Sequence, residues 1–175
     1  MSFARVRALV VVGVLSIAAI VFVVVAVVRD SQSEATAVDG CPAGYVVANV
    51  ELPEPKQVRL RLTNATNTPG LGRQVANDFR NRRFQVDGRV VDAKQALEGN
   101  AALRFGPKAV GAAQLVAAYF LDDVERFYDR NRKDNLVDVV IGTEFQQLGT
   151  TTEVNQSIGA LGKPAVPKGA CAATS

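Results

Sequence analysis

One uninterrupted apolar run, Ala8 to Val28, constrains this chain more than any other feature, because it contains no charged residue, no amide and no proline. As a helix with a rise of about 1.5 Å per residue it would be roughly 31 Å long, which matches the hydrocarbon core of a bilayer. Its apolar residues lie all round the helix, whereas a helix on the surface of a soluble domain keeps a polar face. The run therefore predicts a transmembrane helix over residues 8–28, with the lipid bilayer as its partner.

The charges that flank the run indicate how it crosses the bilayer. Arg5 and Arg7 precede it and Arg29 follows it. Because cationic residues are retained on the cytoplasmic side, this bias predicts a cytoplasmic segment 1–7 and an extracytoplasmic remainder. A cleaved signal peptide is the alternative, since residues 35–37 (Ala-Thr-Ala) offer a cleavage site, but its apolar region is normally shorter than this run. Both interpretations place the domain outside the cytoplasm.

The charge balance argues against a nucleic-acid partner. Of the 20 basic residues, three flank the apolar run, and the others equal the 17 acidic residues in number. The basic isoelectric point of about 9.1 therefore belongs to the membrane end, and the exported part is neutral. A basic cluster at Arg80, Arg82 and Arg83 favours a nucleic-acid-binding regulator, and the predicted topology argues against that function.

Two cysteines bracket the exported part, Cys41 near its start and Cys171 near its end. In an oxidising compartment, an even pair at the two ends of a domain is most simply a disulfide. Two free thiols, or Cys41 as a lipid acceptor, are the alternatives. The chain contains no histidine, so the pair lacks the commonest zinc ligand, and we expect no metal site and no cofactor.

Periodicity in the exported part predicts an α+β domain in two layers. Residues 29–57 contain prolines and glycines typical of a linker, with one extended piece at 45–52. The predicted elements of the domain are strands at 58–63, 84–92, 101–105 and 136–141, and helices that open at Thr68-Pro69 and at Gly106-Pro107. Their order, βαββαβ, predicts a ferredoxin-like sandwich with both helices on one face of a mixed four-stranded sheet.

The domain is predicted to cover residues 58–148, followed by a C-terminal segment at 149–175. The charged stretch 122–135 is expected to continue or cap the second helix. Thr150 to Glu153 has the form of a capping box, which predicts a short helix in the C-terminal segment. Beyond Gly162 the segment is expected to be flexible apart from its cysteine.

The absence of histidine excludes Ser-His and Cys-His nucleophilic systems. Carboxylates at Asp122, Asp123 and Glu125 remain for acid–base chemistry, but beside Arg126 they are typical of a solvated helix end. Asp138, within the last strand, is expected to pair with an arginine across the sheet. We therefore predict no enzymatic activity, with a carboxylate-based hydrolase of cell-wall glycans as the alternative.

A cationic sheet face is the candidate binding surface. Strand alternation points four arginines away from the predicted helices, namely Arg59, Arg61, Arg89 and Arg104. Guanidinium groups bind carboxylates and phosphates bidentately, so anionic cell-wall polymers or the acidic patch of an envelope protein would suit this face. Asp87 and Asp138 reduce the positive charge of this face. The alternatives are a solvated face with cross-strand ion pairs and a face covered by residues 45–52 and the C-terminal tail.

Four sequence motifs resemble the LytR C-terminal domain family in order and spacing. They are VRLRLTNATNTPGLGRQVA at 58–76, FQV at 84–86, LRFGP at 103–107 and VDVVIGTEF at 137–145. The motif positions carried over are Asn64, Gly70, Leu71, Gly106, Asp138, Gly142 and Phe145. Asn64 also begins a glycosylation sequon, but its side chain is expected to close the turn that follows.

The resemblance covers roughly residues 56–148. Together with the amino-terminal anchor and the outer cysteine pair, it makes the whole chain similar to the Cei-type envelope integrity proteins of actinobacteria. It implies an extracytoplasmic, non-catalytic module that supports the cell envelope, located at the cell membrane as a single-pass protein. Some Cei-type proteins carry a second cysteine pair, which this chain lacks, so only Cys41 and Cys171 are carried over.

Overall fold

The structure, a computed structural model, describes residues 41–42 and 44–172. The predicted cytoplasmic segment 1–7, the predicted transmembrane helix 8–28 and the first part of the predicted linker lie outside these residues. Among the described residues, no helix has the length and apolar character needed to cross a bilayer.

Eight strands and three α-helices make up the described part of the chain. The strands are β1 (Val46–Ala48), β2 (Arg59–Asn64), β3 (Gln85–Val86), β4 (Val91–Asp92), β5 (Ala101–Phe105), β6 (Glu125–Tyr128), β7 (Leu136–Ile141) and β8 (Ala170–Ala172). The helices are α1 (Leu71–Asn81), α2 (Val110–Tyr119) and α3 (Thr151–Leu161), and 3₁₀ turns lie at Pro55–Gln57 and Pro107–Ala109. The predicted α+β class is therefore confirmed.

The main sheet has six strands in the order β3-β2-β7-β5-β6, with β4 also paired to β2. Only the β5–β7 pair is antiparallel, so the sheet is mixed. The predicted four-stranded sheet of ferredoxin-like order is wrong. A split βαβ unit would place another strand between β2 and the strand that follows α1, whereas β3 pairs directly with β2.

Several element boundaries differ from the predicted ones, and three of the differences change the course of the chain. The predicted strand 84–92 is divided into β3 and β4, because the chain turns through Gly88 with φ +67° between them. The first helix begins at Leu71 rather than at Thr68-Pro69, since Gly70 before it has a left-handed φ of +82°. The charged stretch 122–135 contains strand β6 and does not continue α2.

The backbone at the end of α2 explains why the stretch 122–135 does not continue the helix. The helix ends at Tyr119, and Leu121 and Asp122 then adopt left-handed φ values of +57° and +68°. Two such residues in succession cannot continue a right-handed helix, so the chain turns and runs back beside β5. Strand β6 pairs parallel to β5 at one end of the strand order.

The core lies between the sheet and the helices. Alternate residues of the central strands are fully buried, namely Leu60, Leu62, Leu103, Val137, Val139 and Ile141. On the helix side, the ring of Phe79 from α1 lies 6.0 Å from that of Tyr119 at the end of α2, and 5.1 Å edge-on from Phe84. Both helices thus meet over one face of the sheet, and an aromatic cluster fills the space between them.

The predicted linker and tail meet in a second, two-stranded sheet. Strand β1 pairs parallel with β8, and Val47 lies in register with Cys171. Cys41 and Cys171 form a disulfide, with their Cα atoms 5.8 Å apart and a sequence separation of 130. The fully buried Ala48 shows that β1 contributes to the core. Neither segment was predicted as a paired strand, because three residues are too few to show a periodicity.

The C-terminal helix α3 begins as predicted. Thr150 is its N-cap, and the capping box with Glu153 is complete: the Thr150 N–H donates to the Glu153 carboxylate at 2.8 Å. The helix packs against α2 and buries Val154. Arg82 donates to the Gly149 carbonyl oxygen at 2.7 Å, which also binds this segment to α1. The segment after residue 148 is therefore part of the folded unit.

Candidate functional site

One row of side chains crosses the sheet on the face opposite the helices. Arg61 of β2 lies in register with Asp138 of β7. Asp138 lies opposite Arg104 of β5, and Arg104 lies in register with Phe127 of β6. Side chains in register on neighbouring strands point to the same face. The row is therefore the centre of an open sheet face, to which Arg59 of β2 also belongs.

This open face is exposed, as the candidate binding surface requires. The side chains of Arg59 and Arg61 are 45% and 56% exposed, and Arg104 is exposed as well. The alternative in which residues 45–52 cover the face is wrong for a geometric reason. The Gly111 N–H of α2 donates to the Asn49 carbonyl oxygen at 3.0 Å, so this segment lies against the helix layer instead.

Asp138 is the centre of an ion-pair network on the open face. Arg61 donates from Nε to Asp138 Oδ1 at 2.8 Å, and Arg132 donates from Nη1 to Oδ2 at 2.8 Å. The predicted pairing of Asp138 with an arginine across the sheet is thus present. Both carboxylate oxygens of Asp138 are engaged, and its side chain is only 18% exposed.

Arg132 lies in the loop before β7 and is the most buried cation of the network, with a side chain 10% exposed. Its Nε donates to Asp134 at 2.7 Å, and its Nη1 also donates to the Arg104 carbonyl oxygen at 3.1 Å. Its Nη2 is buried without a partner among the described residues. The side chain also packs on Gly106, where an added Cβ would lie 2.7 Å from Arg132 Cβ. Arg132 therefore closes one end of the open face.

The ionisation of this network follows from its contacts. Burial acts to lower the pKa of Arg132, but hydrogen bonds to Asp134 and Asp138, and the charges of both, outweigh burial and raise it. The hydrogen bond from Arg132 lowers the pKa of Asp134, aided by the backbone N–H of Leu136. Both shifts favour the charged forms of Arg132 and Asp134.

The four predicted binding arginines occupy different environments. Arg59 forms an ion pair with Asp87, and Arg61 pairs with Asp138. Arg89 lies in the turn between β3 and β4 rather than on a strand. Arg104 forms no ion pair with any residue that the structure describes. The structure therefore leaves one arginine of the sheet face with its charge available.

A shallow cavity of about 340 Å³ borders Arg104 on the open face. Its other lining residues are mostly apolar, namely Leu97, Ala102, Leu103, Phe127 and Val140. Phe127 is 52% exposed, which is unusual for an aromatic side chain on a strand. Sequence reasoning missed Phe127 because it lies in the stretch 122–135, which is expected to continue or cap a helix, and it missed Arg132 because a loop arginine has no periodic signal.

The family-motif position Asn64 stabilises the turn after β2. Its side chain is 3% exposed. It donates to the Thr68 carbonyl oxygen at 3.2 Å and to Asp92 at 2.9 Å, and it accepts from the Thr66 hydroxyl at 2.8 Å. The predicted role of Asn64 in closing the turn is thus what the geometry shows.

The other motif positions also act on local structure. Gly142 comes directly after β7 and lies close to the loop at 97–100. An added Cβ would lie 2.2 Å from the Gly99 carbonyl oxygen. Gly70 supplies the left-handed turn before α1, and Leu71 begins that helix and packs partly against the core. Phe145 packs edge-on against Phe120 at 5.7 Å. Apart from Asp138, the motif positions carried over therefore act on local structure rather than on the open face.

The carboxylates considered for acid–base chemistry have other contacts. Asp122 pairs with Arg126, and Asp123 and Glu125 are exposed. Asp122 also lines a groove with Glu153 of α3. The backbone N–H and the hydroxyl of Thr150 lower the pKa of Glu153, which is opposite to the shift that a general acid needs.

A known family matches the part of the chain that forms the main sheet. The family model of the LytR cell envelope-related transcriptional attenuator matches residues 57–145, which span β2 to β7. The chain belongs to the LytR C-terminal (LytR_C) family. The LytR_C resemblance of the four motifs is thereby confirmed, and all residues of the open face lie within the matched range. LytR_C is a family of non-catalytic domains associated with the cell envelope.

The LytR_C chain is also similar to one solved structure, the soluble domain of a conserved hypothetical secreted protein from Mycobacterium marinum. The two are 26% identical, and the alignment covers 69% of this chain and 82% of that chain, with a TM-score of 0.48. No curated protein sequence matches the chain.

Proposed function

We propose that this chain is a membrane-anchored, extracytoplasmic LytR_C protein that contributes to cell envelope integrity by binding or scaffolding anionic envelope polymers or partner proteins. It carries out no reaction of its own. The observation that carries the proposal is the open sheet face, on which Arg104 has no acidic partner within the described ranges and lies beside the exposed Phe127.

The proposed location is supported by independent parts of the sequence. The run at 8–28 has the length of a bilayer span, and Arg5 and Arg7 favour a cytoplasmic amino terminus. A disulfide such as that of Cys41 with Cys171 persists in an oxidising compartment. The Cei-type resemblance of the whole chain points to the same role at the envelope.

Co-sedimentation with purified cell-wall material tests the binding proposal. The full-length chain in mild detergent is compared with a variant that carries Arg59→Glu, Arg61→Glu and Arg104→Glu. We expect the variant to lose about tenfold or more of its binding, because the charge-assisted contacts are replaced by repulsion. The single variant Arg104→Glu should show most of this loss, and it breaks no ion pair among the residues that the structure describes.

The matched control reverses three exposed cations of the helix layer, Arg73 and Arg80 on α1 and Lys163 next to Gly162, whose carbonyl oxygen accepts from Gln114 of α2. It changes the net charge by the same amount and should bind as the wild type does. If the open-face variant binds unchanged, or if both triple variants lose binding equally, the open face is not the binding surface.

Thiol labelling of intact cells tests the proposed topology. The two cysteines should resist an impermeant maleimide until a reductant is added, and the oxidised chain should migrate faster on a non-reducing gel. Cysteines that label only after the cells are permeabilised would place the domain in the cytoplasm and overturn the export proposal.

The alternative function is a carboxylate-based hydrolase of cell-wall glycans, and one observation favours it. Asp122 and Glu153 line the same groove. Purified peptidoglycan incubated with the chain should release no soluble fragments under our proposal. Release that is lost in Asp122→Asn and in Glu153→Gln would establish the hydrolase instead.

A further inference from the structure

The distribution of charge on the open face singles out one position. Four arginines reach this face, Arg59, Arg61, Arg104 and Arg132. Acidic partners neutralise three of them, and the two oxygens of Asp138 accept from Arg61 and Arg132 although Asp138 lies directly opposite Arg104. Arg104 is thus left with all its side-chain donors free of acidic partners in the described part of the chain.

The surroundings of Arg104 differ from those of the paired arginines. Phe127 lies in register beside it and exposes half of its side chain, and Ala102 and Val140 form an apolar floor on the same side of the sheet. The cavity is flat and shallow, with one cation at its edge. It therefore suits a flat ligand that presents an apolar surface to Phe127 and one anionic group to Arg104.

Glu125 restricts the choice of ligand further. It lies two residues before Phe127 on β6, in register with Ala102, and is exposed. Its carboxylate is an acceptor for hydroxyl donors, and its charge disfavours a ligand that carries a second negative charge. A ring with several hydroxyl groups and a single carboxylate meets all three requirements.

We infer that the cavity lined by Arg104 and Phe127, with Glu125 beside it on β6, binds a sugar ring that carries one carboxylate. The carboxylate forms a bidentate contact with the Arg104 guanidinium, the C–H face of the ring packs on Phe127, and ring hydroxyls donate to Glu125. This inference rests on the proposed function and gives the anionic envelope polymer a chemical class.

Titration of the full-length chain with monosaccharides tests the inference. The probes are D-glucuronate, D-glucose and D-glucose 6-phosphate. Their binding is measured by saturation-transfer NMR of the sugar ring protons. Glucuronate and glucose differ only in whether the ring carries a carboxylate or a hydroxymethyl group. We expect glucuronate to bind about tenfold more tightly than glucose, which is the effect of one charge-assisted contact.

Two variants locate the site. Arg104→Gln should remove the preference for glucuronate over glucose, and Phe127→Ser should weaken the binding of both sugars. Arg73→Gln is the matched control, because Arg73 is also exposed but lies on α1. It should leave both affinities unchanged.

Several outcomes would overturn the inference. These are equal affinities for glucuronate and glucose, tighter binding of glucose 6-phosphate, tighter binding of a short acidic peptide, and a preference that survives in Arg104→Gln. If the chain still sediments with cell-wall material through the open face while glucuronate shows no preference, the proposed function stands and the sugar-carboxylate site fails. If sedimentation through the open face fails too, both fail.

Discussion

The two faces of the main sheet are built from the same strands, yet they differ in what holds their residues in place. Under the helices, side chains such as Leu60 and Val137 are fully buried and pack among aromatic rings. On the open face, Arg61 and Asp138 are held by directed hydrogen bonds instead. The covered face therefore supplies most of the stability, and the open face can retain one unneutralised charge at a small cost in stability.

The first prediction compares one residue type on the two faces. Phe79→Ala should lower the free energy of unfolding by about 3–5 kcal/mol, because Phe79 is fully buried between the helices. Phe127→Ala should lower it by about 0.5 kcal/mol or less, because its ring is half exposed. Denaturant unfolding in mild detergent, followed by near-ultraviolet circular dichroism, measures both. Losses of equal size would show that the faces do not differ in this way.

The second prediction compares two carboxylates on the open face itself. Asp138→Asn should cost about 1–3 kcal/mol, because it leaves the buried guanidinium of Arg132 with one fewer anionic acceptor. Asp87→Asn breaks the exposed pair with Arg59 and should cost about 0–1 kcal/mol. The same unfolding experiment applies. A larger loss at Asp87 than at Asp138 would contradict the network described above.

The smallest expected effect concerns pH. Because Arg132 lowers the pKa of Asp134 in the folded chain, the unfolded chain binds the proton more readily. Asp134 thus contributes stability above its ordinary pKa of 3.8, and this contribution is lost as the pH falls through the lower folded value. The stability difference between wild type and Asp134→Asn should shrink over that acidic range. Asp123→Asn, at an exposed position, is the control, and a difference that grows on acidification would have the wrong sign.

How far the sequence predicts this fold depends on the exposure of each element. Strands β2 and β7 were predicted because a face buried under helices leaves apolar residues at alternate or adjacent positions. Strand β6 was not predicted, because it lies at the end of the strand order beside β5 and most of its residues are exposed. The strand order was predicted wrongly, since periodicity indicates which side of a strand is buried but not which strand lies beside it.

For the candidate site, the sequence predicts which arginines share a face but not which acidic residues pair with them. Alternation along β2 and β5 was enough to place Arg59, Arg61 and Arg104 on one face. The partners that neutralise two of them depend on register across the sheet, and Arg132 reaches Asp138 from a loop. The charge that remains free is therefore a property of the assembled sheet, which no single stretch of sequence contains.

The small sheet of β1 and β8 has a mechanical consequence. The two strands run parallel, and the disulfide links the chain just before β1 to β8 itself. Tension that reaches Cys41 along the backbone is divided between the two strands before it reaches the domain. A pull along the chain from its amino-terminal side is thus resisted by a covalent bond as well as by the hydrogen bonds of one short strand.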